Sequence, residues 1–134
     1  MPDNGRFFDA NIPLYLASEN EEKARVAEKL LYEGGTVSVQ VLNEIANVAR
    51  RKMRKNWDQT HTFLSQLRAL VAVVPVTEQV HDIGLGIAER YLLGVYDGMI
   101  LAAALEAGCH TILSEDMQHG MVVDGRLTIV NPFR

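Results

Sequence analysis

Residues 97–116 read DGMILAAALEAGCHTILSED and contain the clearest structural signal in the chain. The run Met99–Leu105 is apolar at every position, so a helix formed here has no polar face and is expected to be buried on all sides. Gly108 is the expected end of that helix. The apolar run Thr111–Ser114 then predicts a short strand. This combination is typical of the interior of an α/β domain.

The same alternation of short strands and helices extends through the rest of the chain. The other predicted strands are Arg6–Asp9, Thr36–Gln40, Val71–Val74 and Leu127–Val130. The predicted helices are Glu21–Glu33, Val41–Lys55, Asp58–Leu70, Glu78–Leu93 and Asp97–Gly108, with a helical turn at Asn11–Ala17. Such an alternation predicts a parallel sheet covered by helices on both faces.

Composition restricts the class of protein. The chain has 134 residues, 48% of them hydrophobic and 22% charged, which predicts one globular domain over residues 1–134. Neither a bilayer-spanning apolar run nor a signal-peptide core in Met1–Gly5 is present, so we expect a soluble cytoplasmic protein without membrane association. Cys109 is the single cysteine and agrees with that location. A net charge of −4 argues against a protein that holds nucleic acid by charge alone.

Four acidic residues fall where ligands of a parallel sheet usually bind, at the carboxyl ends of the strands. Asp9 ends the first predicted strand, and Asp116 lies two residues after the strand that ends at Ser114. Glu44 lies in the first turn of the helix after the second strand. Asp97 opens the buried helix. Four carboxylates from distant parts of the chain are thus candidates for one shared site.

Each acid also has a purely structural explanation. Asp97 is a natural helix N-cap, Glu44 early in a helix complements the macrodipole, and Asp9 and Asp116 fit solvated loops. Periodicity points Glu44 away from the main apolar stripe of its helix, which is the orientation expected of a solvent-exposed residue.

Two further patterns favour a shared cleft. Val41 and Val48 lie on the same side of the helix as Glu44, so that side could face a cleft between the sheet and a neighbouring helix. An acid such as Asp97 at the mouth of a buried helix is costly unless it is paired, hydrogen-bonded or bound to a metal.

Four segments, taken together and in order, resemble the PIN-domain family, and in particular its VapC-like toxin ribonucleases. The segments are FFDANIPLYL (7–16), SVQVLNEIANV (38–48), YDGMILAAALEAGC (96–109) and TILSEDMQHG (111–120). The shared pattern is an Asp closing the first strand, a Glu early in the helix after the second strand, an Asp at the head of a small-residue helix, and a hydroxyl residue two positions before a last Asp.

The resemblance implies a three-layer α/β/α sandwich around a central parallel sheet and a metal-dependent nuclease acting on RNA. It also implies a homodimer and, in many bacterial members, a toxin neutralised by a small antitoxin. Two departures from the family pattern are Gly98, where alanine or serine is more usual, and His119-Gly120 after the last acid, where an aromatic residue is common.

Carboxylates suit this chemistry because Mg²⁺ and Mn²⁺ prefer oxygen ligands, activate water and neutralise phosphate charge. We predict that four acids form the catalytic metal site and that two polar side chains fix them by hydrogen bonds. The acids are Asp9, Glu44, Asp97 and Asp116, with Glu44 binding metal or orienting water, and the polar side chains are Asn11 and Ser114.

A dense basic run occupies residues 50–55. It fits either the favourable cations of a helix C-terminus or a phosphate-contacting stripe, for which the candidates are Arg50, Arg51 and Arg54. The neighbouring Trp57 and Phe63 are interpreted as packing residues.

The sequence is also compatible with two other functions. One is a catalytically silent RNA- or protein-binding module on the same fold, which has no need of four carboxylates. The other is a phosphatase, whose usual Asp-x-Asp after the first strand is replaced here by Asp9-Ala10-Asn11. For a dimer interface, the apolar segment Leu14–Leu16 is the candidate surface.

Overall fold

The computed structural model describes residues 4–134, so residues 1–3 of the polar segment Met1–Gly5 lie outside the described part. The strands are β1 (Arg6–Phe8), β2 (Thr36–Ser38), β3 (Ala72–Val74), β4 (Thr111–Leu113), β5 (Val122–Val123) and β6 (Leu127–Val130). The helices are α1 (Asn11–Leu14), α2 (Glu21–Glu33), α3 (Val39–Arg51), α4 (Trp57–Arg68), α5 (Glu78–Tyr91) and α6 (Val95–Glu106), with a 3₁₀ turn at Tyr15–Ala17.

The strands form one mostly parallel sheet in the order β3-β2-β1-β4-β6-β5, flanked by helices. The predicted α/β class and its sandwich arrangement are therefore confirmed. Strand β1 is central: Phe7 pairs with Thr36 of β2 on one side and with Ile112 of β4 on the other. The chain builds the sheet outward from β1 first in one direction and then in the other. The strand order consequently reverses between β1 and β4, which is where α/β sheets usually bind ligands.

Helix α6 has the buried position that its composition predicts. Every residue from Gly98 to Leu105 is buried, and the helix packs on α5 and contacts β2 and β6. No helix within residues 4–134 is both long enough and apolar enough to cross a membrane.

Capping changes the start of two helices that carry predicted site residues. Helix α3 begins at Val39 instead of Val41, because the Ser38 hydroxyl accepts a hydrogen bond from Val41 N at 3.3 Å and acts as N-cap. Glu44 therefore lies in the second turn. Helix α6 begins at Val95 with Gly94 as N-cap, so the N-cap explanation of Asp97 is wrong.

The structure also differs from the predicted elements at α3, β1 and β5. Helix α3 ends at Arg51, four residues before the predicted end at Lys55. The first strand ends at Phe8, so Asp9 is the first residue beyond it. The short antiparallel strand β5, which pairs with β6 through a turn containing Asp124-Gly125, was not predicted.

Helices α5 and α6 approach each other most closely at two glycines. A Cβ atom on Gly98 would overlap the carbonyl oxygen of Gly84 and lie 3.0 Å from the Cβ of Ala88. A Cβ atom on Gly84 would lie 2.6 Å from the sulfur of Met99. The glycine at position 98 therefore has a packing reason, because it lets α6, and with it Asp97, lie against the backbone of α5.

We predict that Gly98→Ala lowers the free energy of unfolding by about 1–3 kcal/mol, because the new methyl group meets a backbone atom that cannot move aside. Gly86→Ala on α5 is the matched control, since its Cβ meets only the tip of the Arg90 side chain, at 3.1 Å. It should stabilise the protein by up to about 1 kcal/mol through helix propensity. Urea unfolding of both variants checks this, and equal stabilities would contradict the proposed close packing.

Candidate active site

All four predicted acids line one open cleft of about 400 Å³ at the carboxyl edge of the sheet, where the strand order reverses. The cleft is lined by Asp9, Ala10, Asn11, Leu14, Glu44, Asn47, Val48, Lys52, Asp97 and Asp116. The structure thus brings together side chains that are up to 107 positions apart in the sequence. Asn47 and Lys52 are cleft residues that the sequence analysis did not assign to the site.

Asp9 lies at the back of this cleft and is buried, with 6% of its surface exposed. Its backbone N–H donates to Leu113 O at 3.0 Å and continues the pairing of β1 with β4. One carboxylate oxygen accepts from Ala10 N at 2.7 Å, and the other accepts from the Ser114 hydroxyl at 2.8 Å. Both oxygens are therefore held in place by groups that follow directly from β1 and β4.

Ser114 is fully buried and connects Asp9 to the loop that carries Asp116. Its O–H group donates to Asp9, and its oxygen accepts from Asp116 N and Met117 N, both at 3.2 Å. A hydroxyl at this position orients the first acid and the turn bearing the last acid at the same time.

Asn11 makes a second connection between the same two segments. Its side-chain amide donates to Asp9 Oδ2 at 3.3 Å and to Asp116 Oδ2 at 3.1 Å. Its side-chain oxygen accepts from Glu115 N at 3.1 Å. Asn11 and Ser114 therefore lie where the sequence analysis expected them, in contact with the acids.

Glu44 is held by a residue that the sequence analysis missed. Gln40 Nε2 donates to Glu44 Oε1 at 3.2 Å and to the carbonyl oxygen of Tyr96 at 3.1 Å. Gln40 thus ties α3 to the first turn of α6, directly before Asp97. It was assigned to the second strand, although its spacing of four residues from Glu44 is the helical signal that could have found it.

Comparison with solved structures shows the same fold in three bacterial proteins. A toxin–antitoxin complex from Klebsiella pneumoniae matches at 18% identity and a TM-score of 0.73, over 95% of this chain and 97% of that chain. FitAcB from Neisseria gonorrhoeae matches at 19% and 0.69, over 96% and 98%. The sarcin–ricin loop cleaving toxin VapC20 from Mycobacterium tuberculosis matches at 18% and 0.67, over 83% and 91%.

Comparison with curated protein sequences gave no match. The model of the PIN domain family, however, matches residues 6–120, which include all four acids of the cleft. The chain belongs to the PIN domain family.

A hydrogen-bonded cluster stabilises the loop of this PIN domain that carries Glu115 and Asp116. The Glu115 carboxylate accepts from Lys23 Nζ and from the Tyr15 hydroxyl, and these bonds lower the pKa of Glu115. The Lys23 ammonium also lies over the rings of Tyr15 and Phe133, at 5.0 and 5.2 Å from their centroids. Glu115 is therefore hydrogen-bonded to Tyr15 and Lys23, whereas its neighbour Asp116 lines the cleft.

The pKa values of two acids are raised in the cleft. Burial raises the pKa of Asp9 to about 6, and the charges of Glu44 and Asp97 add to this, while the hydrogen bonds from Ser114 and Ala10 N oppose it. Burial also raises the pKa of Asp97, with a contribution from the charge of Asp116. The cleft therefore concentrates negative charge that a cation would neutralise.

The donor set fits a hard divalent cation. Carboxylate oxygens are the ligands that Mg²⁺ and Mn²⁺ prefer, and the charged form of buried Asp9 needs a positive partner. Among residues 4–134, however, no three His, Cys, Asp or Glu side chains already lie close enough to hold an ion together. Mg²⁺ usually keeps several waters and takes only one or two carboxylates directly, so this wider spacing fits binding that is partly bridged by water.

The basic run contributes to the cleft through a different residue from those predicted. Lys52 lines the cleft, whereas the Arg50 guanidinium donates to Lys55 O at 2.9 Å and lies away from the acids. Arg51 and Arg54 are exposed but do not line the cleft. Lys52 is therefore the member of the basic run that lines the cleft together with the acids.

We predict that Asp9 contributes less to the stability of the metal-free PIN domain as the pH rises from about 4 to 6. Because the pKa of Asp9 is about 6 in the folded protein and ordinarily 3.8, the folded state binds a proton that the unfolded chain has already released. This contribution is fully present below about pH 4 and is lost above pH 6, with a magnitude of about 3 kcal/mol.

Urea unfolding in EDTA at several pH values checks this prediction, with Asp9→Asn as the comparison because it cannot titrate. The difference in unfolding free energy between wild type and Asp9→Asn should change between pH 4 and 7, and millimolar Mg²⁺ should reduce that change. Parallel curves for the two proteins would show that Asp9 keeps its ordinary pKa.

Proposed function

We propose that this protein is a metal-dependent endoribonuclease that hydrolyses RNA phosphodiester bonds, using Mg²⁺ or Mn²⁺. The observation that carries the proposal is the convergence of four carboxylates in one cleft around the buried Asp9. Membership of the PIN domain family supports it, because nucleases are typical of that family.

Each cleft residue has a role in this proposal. Asp9, Asp97 and Asp116 hold the cation directly or through water, and Glu44, fixed by Gln40, binds the cation or orients the attacking water. A bound divalent cation would lower the pKa of that water and neutralise charge on the phosphate. Asn11 and Ser114 hold Asp9 and the loop that carries Asp116 in fixed positions relative to each other.

Lys52 is the proposed phosphate contact at the rim of the cleft. It is exposed, lines the cleft together with the four acids, and carries the only positive charge among the lining residues within 4–134. A cation in this position attracts the phosphate backbone of an RNA toward a pocket that is otherwise acidic.

We further propose that the enzyme is the toxin of a type II toxin–antitoxin pair, acts in the cytoplasm and is neutralised by a small antitoxin protein. Two structural neighbours support this partner: a toxin–antitoxin complex from Klebsiella pneumoniae, and VapBC2 from Rickettsia felis bound to a DNA fragment of its promoter.

Cleavage of total cellular RNA tests the nuclease proposal. Wild type should cut RNA in Mg²⁺ or Mn²⁺ and not in EDTA. Asp9→Asn and Asp97→Asn should each lower the rate by a factor of about 100 or more, because each removes a charge from the metal site. Asp82→Asn, an exposed acid on α5 outside the cleft, is the matched control and should cut like wild type.

Two results would contradict the nuclease. If wild type cuts nothing in either metal, the silent RNA- or protein-binding module becomes the better account. If the two cleft variants cut as well as Asp82→Asn, the activity is independent of the acid cluster and comes from another site or another protein.

We infer that a second copy of the chain covers an apolar patch beside the cleft. Leu92, Val95 and Tyr96 are 90%, 50% and 71% exposed and lie where α5 ends and α6 begins, directly before Asp97. The earlier candidate, Leu14–Leu16, is partly buried and packs against the core, so it is not a free surface. Three large apolar side chains within five residues favour an interface.

We predict that light scattering gives twice the chain mass of 14.9 kDa for wild type and a single-chain mass for Leu92→Asp. Leu92 has left-handed backbone angles, φ 57° and ψ 47°, which aspartate tolerates better than leucine, so the variant should fold. Val122→Asp, on the exposed strand β5, is the control and should remain a dimer. A monomeric wild type, or a dimeric Leu92→Asp, would contradict the assignment.

A further inference from the structure

Trp57 is exposed in a position where packing does not explain it. The residue opens α4, directly after the N-cap Asn56, and 60% of its surface is accessible. The sequence interpretation of Trp57 as a packing residue is therefore wrong. The indole therefore presents a large apolar surface that is accessible to a ligand.

One face of the Trp57 ring carries a fixed cation. The Arg50 guanidinium lies over the indole at 4.2 Å from its centroid and donates to Lys55 O at 2.9 Å. The imidazole of His61, one helical turn along α4, lies beside the indole at 6.3 Å between centroids. Because Arg50 is held at both contacts, it fixes the orientation of the ring, and most of the indole surface stays open.

The surroundings of Trp57 are strongly basic in an otherwise acidic chain. Residues 50–61 contain five of the thirteen Lys and Arg side chains and one of the seventeen Asp and Glu side chains. Arg51, Lys52 and Arg54 are exposed there. The charge complements a polyanion, and an aromatic ring beside clustered cations is the arrangement with which proteins bind single-stranded nucleic acid.

The basic segment also leads from Trp57 to the acidic cleft. Lys52 lines the cleft and precedes Trp57 by five residues, so their Cα atoms are at most about 18 Å apart. A single strand of a few nucleotides spans such a distance. Phosphates bound by Lys52 and its neighbours would place a nearby base over the indole.

We propose that Trp57, oriented by Arg50, is a base-stacking subsite for single-stranded RNA whose backbone runs along residues 51–55 into the acidic cleft. The proposal rests on the proposed ribonuclease function for the identity of its ligand. Stacking uses the π-face that every base has, so the subsite selects unpaired RNA over duplex without reading its sequence.

Intrinsic fluorescence tests this directly, because Trp57 is the single tryptophan of the chain. The full-length Asp97→Asn protein, which should leave the RNA uncut, is titrated with an unstructured RNA of about 12 nucleotides and with the same RNA as a duplex. The single strand should quench and shift the Trp57 emission, and the duplex should have little effect. Binding of the single strand without any change in emission would overturn the proposal.

Fluorescence anisotropy of a labelled RNA measures the RNA affinity of variants that lack Trp57. Trp57→Ala should weaken binding roughly 5- to 150-fold, the range found when stacking aromatics are truncated, and Trp57→Phe should recover most of the loss. Leu85→Ala, an exposed apolar side chain on α5, is the control and should bind normally. Equal binding by Trp57→Ala and wild type would overturn the proposal, as would an emission change caused by a protein partner and not by RNA.

Cleavage kinetics separate this proposal from the nuclease proposal. In an otherwise intact chain, Trp57→Ala should raise KM and leave kcat within about twofold, since it removes ground-state binding remote from the reacting phosphate. Efficient cleavage with an unchanged KM would overturn the stacking subsite and leave the nuclease intact. Stacking by wild type that cuts no RNA in any metal would support the subsite and overturn the nuclease.

Discussion

The buried carboxylate of Asp9 is the constraint around which the site is built. A charged group at the end of the central strand is tolerated only where hydrogen bonds compensate for its loss of water. Here the compensation comes from Ala10 N, the Ser114 hydroxyl and the Asn11 amide. All of these are available because β1 and β4 pair in parallel, with Phe8 opposite Leu113, and end at the same level. These hydrogen bonds only partly offset burial, since the pKa of Asp9 remains raised to about 6.

The helices bring the remaining charges to this point. Helix α6 is buried along most of its length, and the close approach of Gly98 to Gly84 sets its depth against α5. Asp97, one residue before that contact, is thereby presented at the cleft. Gln40 joins the start of α3 to the start of α6, and the same side-chain amide also orients Glu44. Packing contacts remote from the acids thus decide where the acids lie.

Much of this arrangement was predictable, and the errors in the elements have two causes. The alternation of strands and helices and the uniformly apolar helix α6 gave the fold class, and four acids at strand and helix ends gave the lining of the cleft. Hydrogen bonds of single side chains were missed: the Ser38 cap moved the start of α3 and placed Gln40 in the helix. The two-residue strand β5 was too short for periodicity, although the Asp124-Gly125 turn between apolar runs signalled the hairpin.

Trp57 and Lys52 show a second limit of sequence reasoning. Both belong to a basic, aromatic segment whose sequence fits the C-terminus of a helix as well as it fits a phosphate-contacting surface. Only the three-dimensional structure separates Lys52, which lines the cleft, from Arg50, which stacks on Trp57. Periodicity indicates which face of a helix is apolar, but it does not indicate which parts of the fold lie next to the residues that follow the helix.

Whether the four acids form one metal site can be determined from a crystal of the full chain grown with Mn²⁺. Anomalous diffraction at the manganese edge locates the ion without reference to activity. We expect an anomalous peak in the cleft, from an ion bound to Asp9, Asp97 and Asp116 either directly or through one water. A cleft without a peak, at a Mn²⁺ concentration that labels other surface carboxylates, would contradict this expectation.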